Sequence, residues 1–281
     1  MSAPRVNWVT RSTLLLGFAF LYAPMLILII FSFNENKSVT VWSQFSFKWY
    51  PALFRDQQII DAAKVSLEIA FLTACASVVL GTMAAMVMTR FRSFRGKSIF
   101  GALMTAPLVM PEVITGLSIL LLFVALGEHF EFFASRGVMT IWIAHVTFCV
   151  AFVTVVISSR LSELDRSLEE AAMDLGANRL KVFFLITLPI IAPALVSGWL
   201  LAFTLSLDDF VISSFVSGPS STTLPMKVFS SVRMGVSPKI NALATLMIVV
   251  VSIAAFIGWW LMAREEKQRI RDMQLALQKG E

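Results

Sequence analysis

Residues 160–189 read RLSELDRSLEEAAMDLGANRLKVFFLITLP and separate two long apolar runs of the chain. Asp165 precedes a helix-forming stretch with two glutamates in its first turns, and Gly176 follows that stretch. Acidic residues stabilise the amino end of a helix, and glycine often adopts the left-handed conformation that ends one. The pattern therefore predicts a helix between Asp165 and Gly176, and a second helix beginning near Leu180.

Small residues characterise the end of the first of these helices. Ala171 and Ala172 lie close to Gly176 in the sequence, so another protein surface could approach the backbone closely here. Two interpretations follow from the residues alone. The segment is either a helical hairpin on the membrane surface or a docking element for a soluble partner.

The composition on either side of this loop indicates a membrane protein. Apolar residues make up 57% of the 281-residue chain and charged residues 15%, whereas soluble domains contain about 45–50% and about 25%. Six apolar runs come close to the roughly 20 residues that cross a bilayer. They cover residues 13–33, 62–88, 99–126, 138–158, 190–214 and 241–263. The sequence predicts an all-α integral membrane protein in which residues 1–281 form a single domain with six transmembrane helices.

The distribution of basic residues predicts the orientation in the membrane. Most of the 23 lysines and arginines fall in the N-terminus, the 89–98 loop, the 159–189 loop and the C-terminal tail. Because basic loops stay in the cytoplasm, both termini are predicted to be cytoplasmic. The first run exceeds the roughly 7–15 apolar residues of a signal core, so it is expected to remain as a transmembrane helix. The tail is predicted to be a solvated extension of the sixth helix.

Three acids stand out within the apolar runs. A carboxylate at mid-helix costs about 2.5–3.5 kcal/mol to insert, so such residues usually face a cavity or a partner. On straight helices that rise about 1.5 Å per residue, Glu112 and Asp208 would lie at similar depth and could form one cation site. Asp209 is turned about 100° from Asp208, so only one of this pair is expected to face the substrate path. Pro107 and Pro111 are predicted to kink the helix near Glu112. Pairing of these acids with another membrane subunit is the structural alternative.

Other polar or aromatic side chains have two interpretations each. Ser206 either contributes a hydroxyl to the path or bonds to its own helix backbone. Trp49, in the first outer connection, either offers its ring face to an ammonium group or anchors the membrane interface. His145 is expected to be a packed neutral residue, and Cys75 and Cys149 are expected to pack as small apolar groups.

The 160–189 segment also has a recognisable spacing. Its residues Glu170-Ala171-Ala172, Gly176, Ile186 and Leu188-Pro189 fill every signature position of the EAA loop of ABC-importer permeases, and the segment resembles that loop. The resemblance implies the type I permease fold. It also implies that the loop seats on a cytoplasmic ATPase through the residues Glu170, Ala171, Ala172, Asp174, Gly176 and Pro189.

Four further stretches are similar to the polyamine branch of that family, which imports putrescine or spermidine. They are residues 106–116, 205–211, 215–219 and 235–245. The resemblance implies a multi-pass subunit of the bacterial inner membrane. It also implies three kinds of partner: a second homologous permease, a cytoplasmic ATPase dimer and a periplasmic substrate-binding protein. Acids without mid-membrane lysine or arginine agree with a cationic substrate, but the sequence does not separate putrescine from spermidine or another small cation.

Several function classes lack support in the sequence. No phosphate-binding glycine loop, nucleophile triad or metal cluster occurs, so no catalysis, cofactor or metal ion is expected, and ATP is expected on the partner ATPase. The basic residues lie between apolar runs, which favours membrane topology over nucleic-acid binding. A secondary transporter is the alternative class, although such proteins often contain internal repeats that are not seen here.

Overall fold

The structure is a computed structural model that describes residues 7–37, 41–91, 93–235 and 237–253, together with positions 256, 257, 260 and 264. Within these residues the chain is built of helices and their connections, and Asn34 and Phe45 form an isolated antiparallel bridge. The predicted C-terminal extension falls beyond the described residues. The helices in chain order are α1 (Trp8–Ser32), α2 (Trp49–Phe54), α3 (Gln57–Arg90), α4 (Lys97–Val109), α5 (Glu112–Gly127), α6 (Glu131–Ala134), α7 (Val138–Glu163), α8 (Arg166–Asp174), α9 (Arg179–Val182), α10 (Leu188–Asp208), α11 (Val211–Val216), α12 (Leu224–Arg233) and α13 (Pro238–Ile253).

The predicted all-helical membrane class is confirmed, whereas the count of six spans is not established. Among the described residues, four helical stretches are long and apolar enough to cross a membrane: α1, α3, α7 and the continuous stretch Arg179–Asp208. The pair α4 and α5 adds a fifth candidate if the two helices form one bent span. The helix α13 is apolar but shorter than a span over its described residues. Beyond Ile253, only positions 256, 257 and 260 of the sixth predicted run are described.

The third predicted helix is broken more sharply than a proline kink implies. Pro107 lies inside α4, but Met110 is extended (φ −74°, ψ 137°) and α5 restarts after Pro111, with a bend of 117° between the two helices. Proline disfavours helical geometry in the residue before it and cannot donate a backbone hydrogen bond. Glu112 is therefore the first residue of a new helix, and a depth calculated along a straight helix does not apply to it.

The fifth predicted helix begins earlier and ends earlier than the 190–214 run. It follows without interruption from α9 through a π-helical segment, Phe183–Thr187, into α10. It ends at Asp208 because Asp209 is extended (φ −65°, ψ 121°), and the short helix α11 follows. Asp208 is thus the last residue of a helix, and Asp209 lies in the break that follows it.

The described residues divide into two compact units, one within 58–230 and one within 1–57 and 231–281. In the first unit, α7 packs between α3 and α10. A Cβ atom on Gly81 of α3 would lie 2.8 Å from the Cγ1 atom of Val153, and one on Gly198 of α10 would lie 3.3 Å from the same atom. Small residues at these points allow membrane helices to approach closely. The buried core around them includes Ile69, Ile141, Cys149, Ile157, Ile191 and Ala202.

The second unit contains α1, α2 and the connection between them. The side-chain oxygen of Asn34 accepts hydrogen bonds from the backbone N–H of Ser43 at 3.0 Å and from its hydroxyl at 3.2 Å. Ser32 and Tyr50 share a hydrogen bond of 2.9 Å. The ammonium of Lys239 lies 3.1 Å from a carboxylate oxygen of Asp56, which ties the start of α13 to the residue preceding α3. These contacts order the connection that leads to Trp49, the first residue of α2.

Candidate coupling surface and substrate path

The helix α8 begins where the sequence predicts it. The Asp165 carboxylate accepts a hydrogen bond of 2.9 Å from the backbone N–H of Ser167, which is an N-terminal cap. This backbone hydrogen bond holds the pKa of the Asp165 carboxyl below its usual value. The cap satisfies one N–H that the first turn of a helix otherwise leaves unpaired.

The helix α8 ends at Gly176, also as predicted. Gly176 has a φ of 87°, and its N–H donates to the carbonyl of Met173 at 2.9 Å. The N–H of Ala177 donates to the carbonyl of Ala172 at 3.0 Å. These two bonds form the Schellman motif, in which a residue with a left-handed backbone ends the helix. The side chain of Asn178 then caps α9.

One face of α8 is attached to the ends of the long helices. The Glu169 carboxylate accepts hydrogen bonds from Arg90 Nη2 at 2.8 Å and from the Thr187 hydroxyl at 2.7 Å. Arg90 is the last residue of α3, and Thr187 is the last residue of the π-helical segment. Arg166 also donates to the backbone carbonyl of Thr89 at 2.6 Å. No local sequence pattern indicates these contacts, because they join residues far apart in the chain.

The opposite face of α8 is open to solvent. Glu170, Ala171, Asp174 and Gly176 are exposed, and Ala172 is half-buried. Exposed apolar side chains lie beside them, and Leu175 is 90% exposed. Exposed apolar groups on a charged loop are typical of a protein interaction surface. We call residue 168 together with residues 170–176 the coupling surface. Pro189, the remaining predicted coupling residue, is exposed at the start of α10.

A cleft of about 490 Å³ lies beside the attached face of α8. Its walls are formed by α8, the end of α3 and the π-helical segment, and its polar lining is Arg90, Arg166, Glu169, Glu170, Arg179 and Thr187. Glu170 lines this cleft together with Glu169 and Arg90 and is also exposed to solvent. The coupling surface is thus a helix backed by a polar groove.

The carboxylate of Asp209 is enclosed by donors. Its Oδ2 atom lies 2.8 Å from the backbone N of Ser213 and 3.1 Å from His145 Nε2, and its Oδ1 atom lies 3.2 Å from the backbone N of Ile212. The side chain is only 6% exposed. Asp209 therefore caps the start of α11 and binds a residue of α7 at the same time.

His145 connects three parts of the chain. Its side chain is 1% exposed; Nδ1 lies 2.7 Å from the Ser206 hydroxyl, and Nε2 lies 3.0 Å from the Ser213 hydroxyl. Ser206 thus bonds to α7, so neither of its two expected roles describes this contact. His145 is buried, as expected, but its polar partners were not foreseen. We call His145, Ser206, Asp209 and Ser213 the His145 cluster.

Asp208 and Glu112 have exposed carboxylates at two neighbouring breaks. Asp208 ends α10, and within the described residues its carboxylate forms no ion pair; Glu112 begins α5. A Cβ atom on Gly116 would lie 3.3 Å from the Cα atom of Ile212, so α5 and α11 are in close backbone contact. Gly116 follows Glu112 by one helical turn, and Ile212 follows Asp208 by four residues. The structure therefore brings the two breaks to the same region.

Trp49 lies in the other compact unit and has an internal role there. It is 8% exposed, and its indole N–H donates to the backbone carbonyl of Asn34 at 2.6 Å. The ammonium of Lys48 lies 5.0 Å from the centre of its ring, a cation–π distance. These contacts fix the connection between α1 and α2.

Comparisons with known proteins agree on one family. Residues 77–269 match the family model described as binding-protein-dependent transport system inner membrane component. The chain is 66% identical over 263 residues to the putrescine transport system permease protein PotI of Escherichia coli strain K12, which covers 94% of each chain. It is 44% identical to the spermidine/putrescine transport system permease protein PotC of Haemophilus influenzae, over 83% of this chain and 88% of that one.

Solved structures agree on the fold. A chain of a bacterial ABC transporter that imports the acidic polysaccharide alginate matches with a TM-score of 0.73 at 17% identity, over 92% of this chain and 98% of that chain. A second structure, the alginate transporter in complex with its alginate-bound periplasmic protein, matches with a TM-score of 0.69 at 18% identity, over 88% of this chain and 91% of that chain. At this level of identity the likeness concerns the fold alone.

Proposed function

The chain belongs to the family of binding-protein-dependent transport system inner membrane components, and we propose that it is a permease subunit of an ATP-driven putrescine importer. It is a multi-pass membrane protein in the polyamine branch of the ABC-importer permeases. The observation that carries the putrescine assignment is the 66% identity to the putrescine permease over 94% of both chains. As a transport component it is not an enzyme, and we propose that ATP is bound and hydrolysed on a partner.

The exposed acids support a cationic substrate. A polyamine carries at least two positive charges at neutral pH, and removing water from them must be offset by anionic groups along the path. Glu112 and Asp208 are exposed at two helix breaks that lie in one region, where a hydrogen bond to an ammonium group contributes about 1.5–3 kcal/mol. We assign these two carboxylates to the substrate path. The related fold of the alginate importer does not argue against this, because a shared fold does not fix the substrate.

The partners follow from the exposed surfaces. We propose that α8 seats on a cytoplasmic ATPase dimer through the coupling surface and Pro189, with Glu170 and Asp174 as its charged contacts. The window of α1 that is apolar enough to cross a membrane has no buried residues within this chain, so it is available to lipid or to a second homologous permease. A periplasmic substrate-binding protein would deliver the substrate, as the solved alginate complex suggests by analogy.

The attachment of α8 suggests how ATP hydrolysis moves the membrane helices. Glu169 joins α8 to the end of α3 and to the segment that continues into α10. A displacement of α8 by the ATPase would therefore be passed to both long helices. We propose that this displacement alternates the access of the path between the two sides, and that the chain has six spans with both termini in the cytoplasm.

A reconstituted complex tests the substrate. The chain, a second permease, the ATPase and the binding protein are placed in liposomes, and uptake of labelled putrescine is measured with ATP inside. We expect unlabelled putrescine to compete at lower concentration than spermidine, and an anionic compound not to compete. Stronger competition by spermidine would favour the second candidate, a spermidine importer, which the 44% identity to a spermidine/putrescine permease supports. ATP-independent uptake by the chain alone would instead indicate a secondary transporter.

A further inference from the structure

Asp208 and Asp209 are adjacent, but their carboxylates have different surroundings. The Asp208 carboxylate is exposed, and the Asp209 carboxylate is 6% exposed with three close donors. We propose that, of these two aspartates, only Asp208 contacts the substrate, and that Asp209 with His145 is a positioning pair that holds the break after α10. This inference rests on the proposed function, in which Asp208 binds an ammonium group of the substrate.

The contacts of Asp209 are those of a structural cap. Backbone N–H groups of Ile212 and Ser213 donate to its two oxygens, and a helix N-terminus favours a negative charge at this position. An ammonium group that approached Asp209 would have to displace these donors from a nearly enclosed site. Asp209 is therefore poorly suited to bind and release a substrate.

His145 fixes the break from the other side. Its Nε2 atom lies 3.1 Å from Asp209 Oδ2, and its Nδ1 atom lies 2.7 Å from the Ser206 hydroxyl. Ser206 lies two residues before Asp208 and Asp209 lies one residue after it. The ring of His145 thus bonds to the chain immediately before and after Asp208. Because all three side chains of this bridge are nearly buried, the backbone at Asp208 has little freedom to turn.

The break gives Asp208 a suitable place for a cation. The last carbonyl groups of a helix lack intrahelical donors and carry the negative end of the helix dipole. Asp208 is the last residue of α10, so it belongs to the turn that carries these carbonyl groups. If α10 continued through residue 209, those carbonyls would be used within the helix. The His145 cluster therefore preserves both the exposed acid and the open helix end.

Paired substitutions at the two aspartates test this division of roles. Uptake rates over a range of putrescine concentrations are measured in the reconstituted complex for D208N, D208A, D209N and D209A. If Asp208 acts by charge, D208N and D208A should both reduce uptake at low substrate by about tenfold. If Asp209 acts as a cap, D209N keeps a carbonyl acceptor and should stay within about threefold of the parent, whereas D209A should fall by about tenfold. Equal losses in D209N and D209A would show a charge contact and overturn the inference.

A double-mutant cycle tests whether His145 acts through Asp208. We expect H145A to lower uptake at low substrate in the parent complex but to add less than about twofold in the D208N background, because coupled residues are not additive. Fully additive losses would indicate a general packing role and overturn the positioning role. Recovery of the complex is checked by size-exclusion chromatography, and H145Q, which keeps a donor and an acceptor, replaces H145A if H145A does not assemble. Normal uptake by D208N would instead show that the proposed substrate contact itself is wrong.

Discussion

Glu169 and Glu170 are adjacent in the chain, yet their carboxylates lie in different surroundings. Glu169 is 16% exposed and paired with Arg90 and Thr187, whereas Glu170 is exposed on the coupling surface. One helix step turns the side chain by about 100°, so neighbours on α8 point to different surfaces. At the scale of single residues, the role of each acid is set by the groups that surround it.

This pair of glutamates provides a matched test of coupling. In E169A the guanidinium of Arg90 loses its partner in a largely buried site, which should lower the stability of the complex by about 1–3 kcal/mol. Thermal unfolding of the detergent-solubilised complex and substrate-stimulated ATP hydrolysis should both decrease. In E170A the unfolding temperature should be unchanged, because the side chain is exposed, but less ATPase should co-purify with the permease.

Either of two results would contradict the assignment of Glu169 to the attached face and Glu170 to the coupling surface. If E169A weakens ATPase binding and leaves unfolding unchanged, its ion pair is not structural. If E170A lowers the unfolding temperature as much as E169A, the two faces of α8 are not distinct.

At the scale of elements, two helix breaks define the proposed path. The break between α4 and α5 occurs at Pro111, and the break between α10 and α11 occurs at Asp209, which caps the new helix. Gly116 allows α5 and α11 to meet, since a Cβ atom there would lie 2.8 Å from the ring of Phe215. The first break results from the backbone chemistry of proline, whereas the second depends on contacts with α7.

A valine at Gly116 tests the contact between these elements. G116V places branched methyl groups against Phe215 and the backbone of Ile212, and overpacking of this kind costs about 1–3 kcal/mol. The unfolding temperature and putrescine uptake should both decrease. The matched control is G17V in α1, where nothing lies within 4 Å of an added Cβ atom in this chain. Similar losses in G116V and G17V would mean that the glycine contact does not hold α5 against α11.

At the scale of the whole molecule, the distribution of basic residues predicts one orientation in the membrane. The 159–189 loop is rich in arginine and lysine, and the structure gives it the exposed helix α8. A cytoplasmic position for this loop follows from the positive-inside rule. The same rule places the connection near residue 220 on the outer side.

Cysteine labelling tests this orientation. Ser167 in α8 and Ser220 after α11 are both exposed, so S167C and S220C form a matched pair once Cys75 and Cys149 have been replaced by alanine. In intact cells, a maleimide that does not cross the inner membrane should label S220C and not S167C. After lysis both should react. Labelling of S167C in intact cells would reverse the orientation and remove the proposed ATPase contact.

The sequence determined what depends on neighbouring residues and on overall composition. The apolar excess indicated a membrane protein, and the cap at Asp165 and the left-handed Gly176 were predicted correctly, because a helix start or end uses groups within a few residues of each other. The EAA spacing likewise indicated the permease family. Trp49 as a substrate contact was neither supported nor excluded by the sequence, and it stays a prediction.

Only the tertiary structure decided which of the acids have a polar partner within the described residues. Glu169 is paired with Arg90, 79 residues away, and Asp209 with His145, 64 residues away. A depth calculated along a straight helix does not apply to Glu112, because α4 and α5 bend by 117°. No local pattern encodes such pairings. They arise when the packing of α3, α7 and α10 brings distant polar groups together in a low-dielectric interior, where an unpaired charge is costly and each donor must find an acceptor.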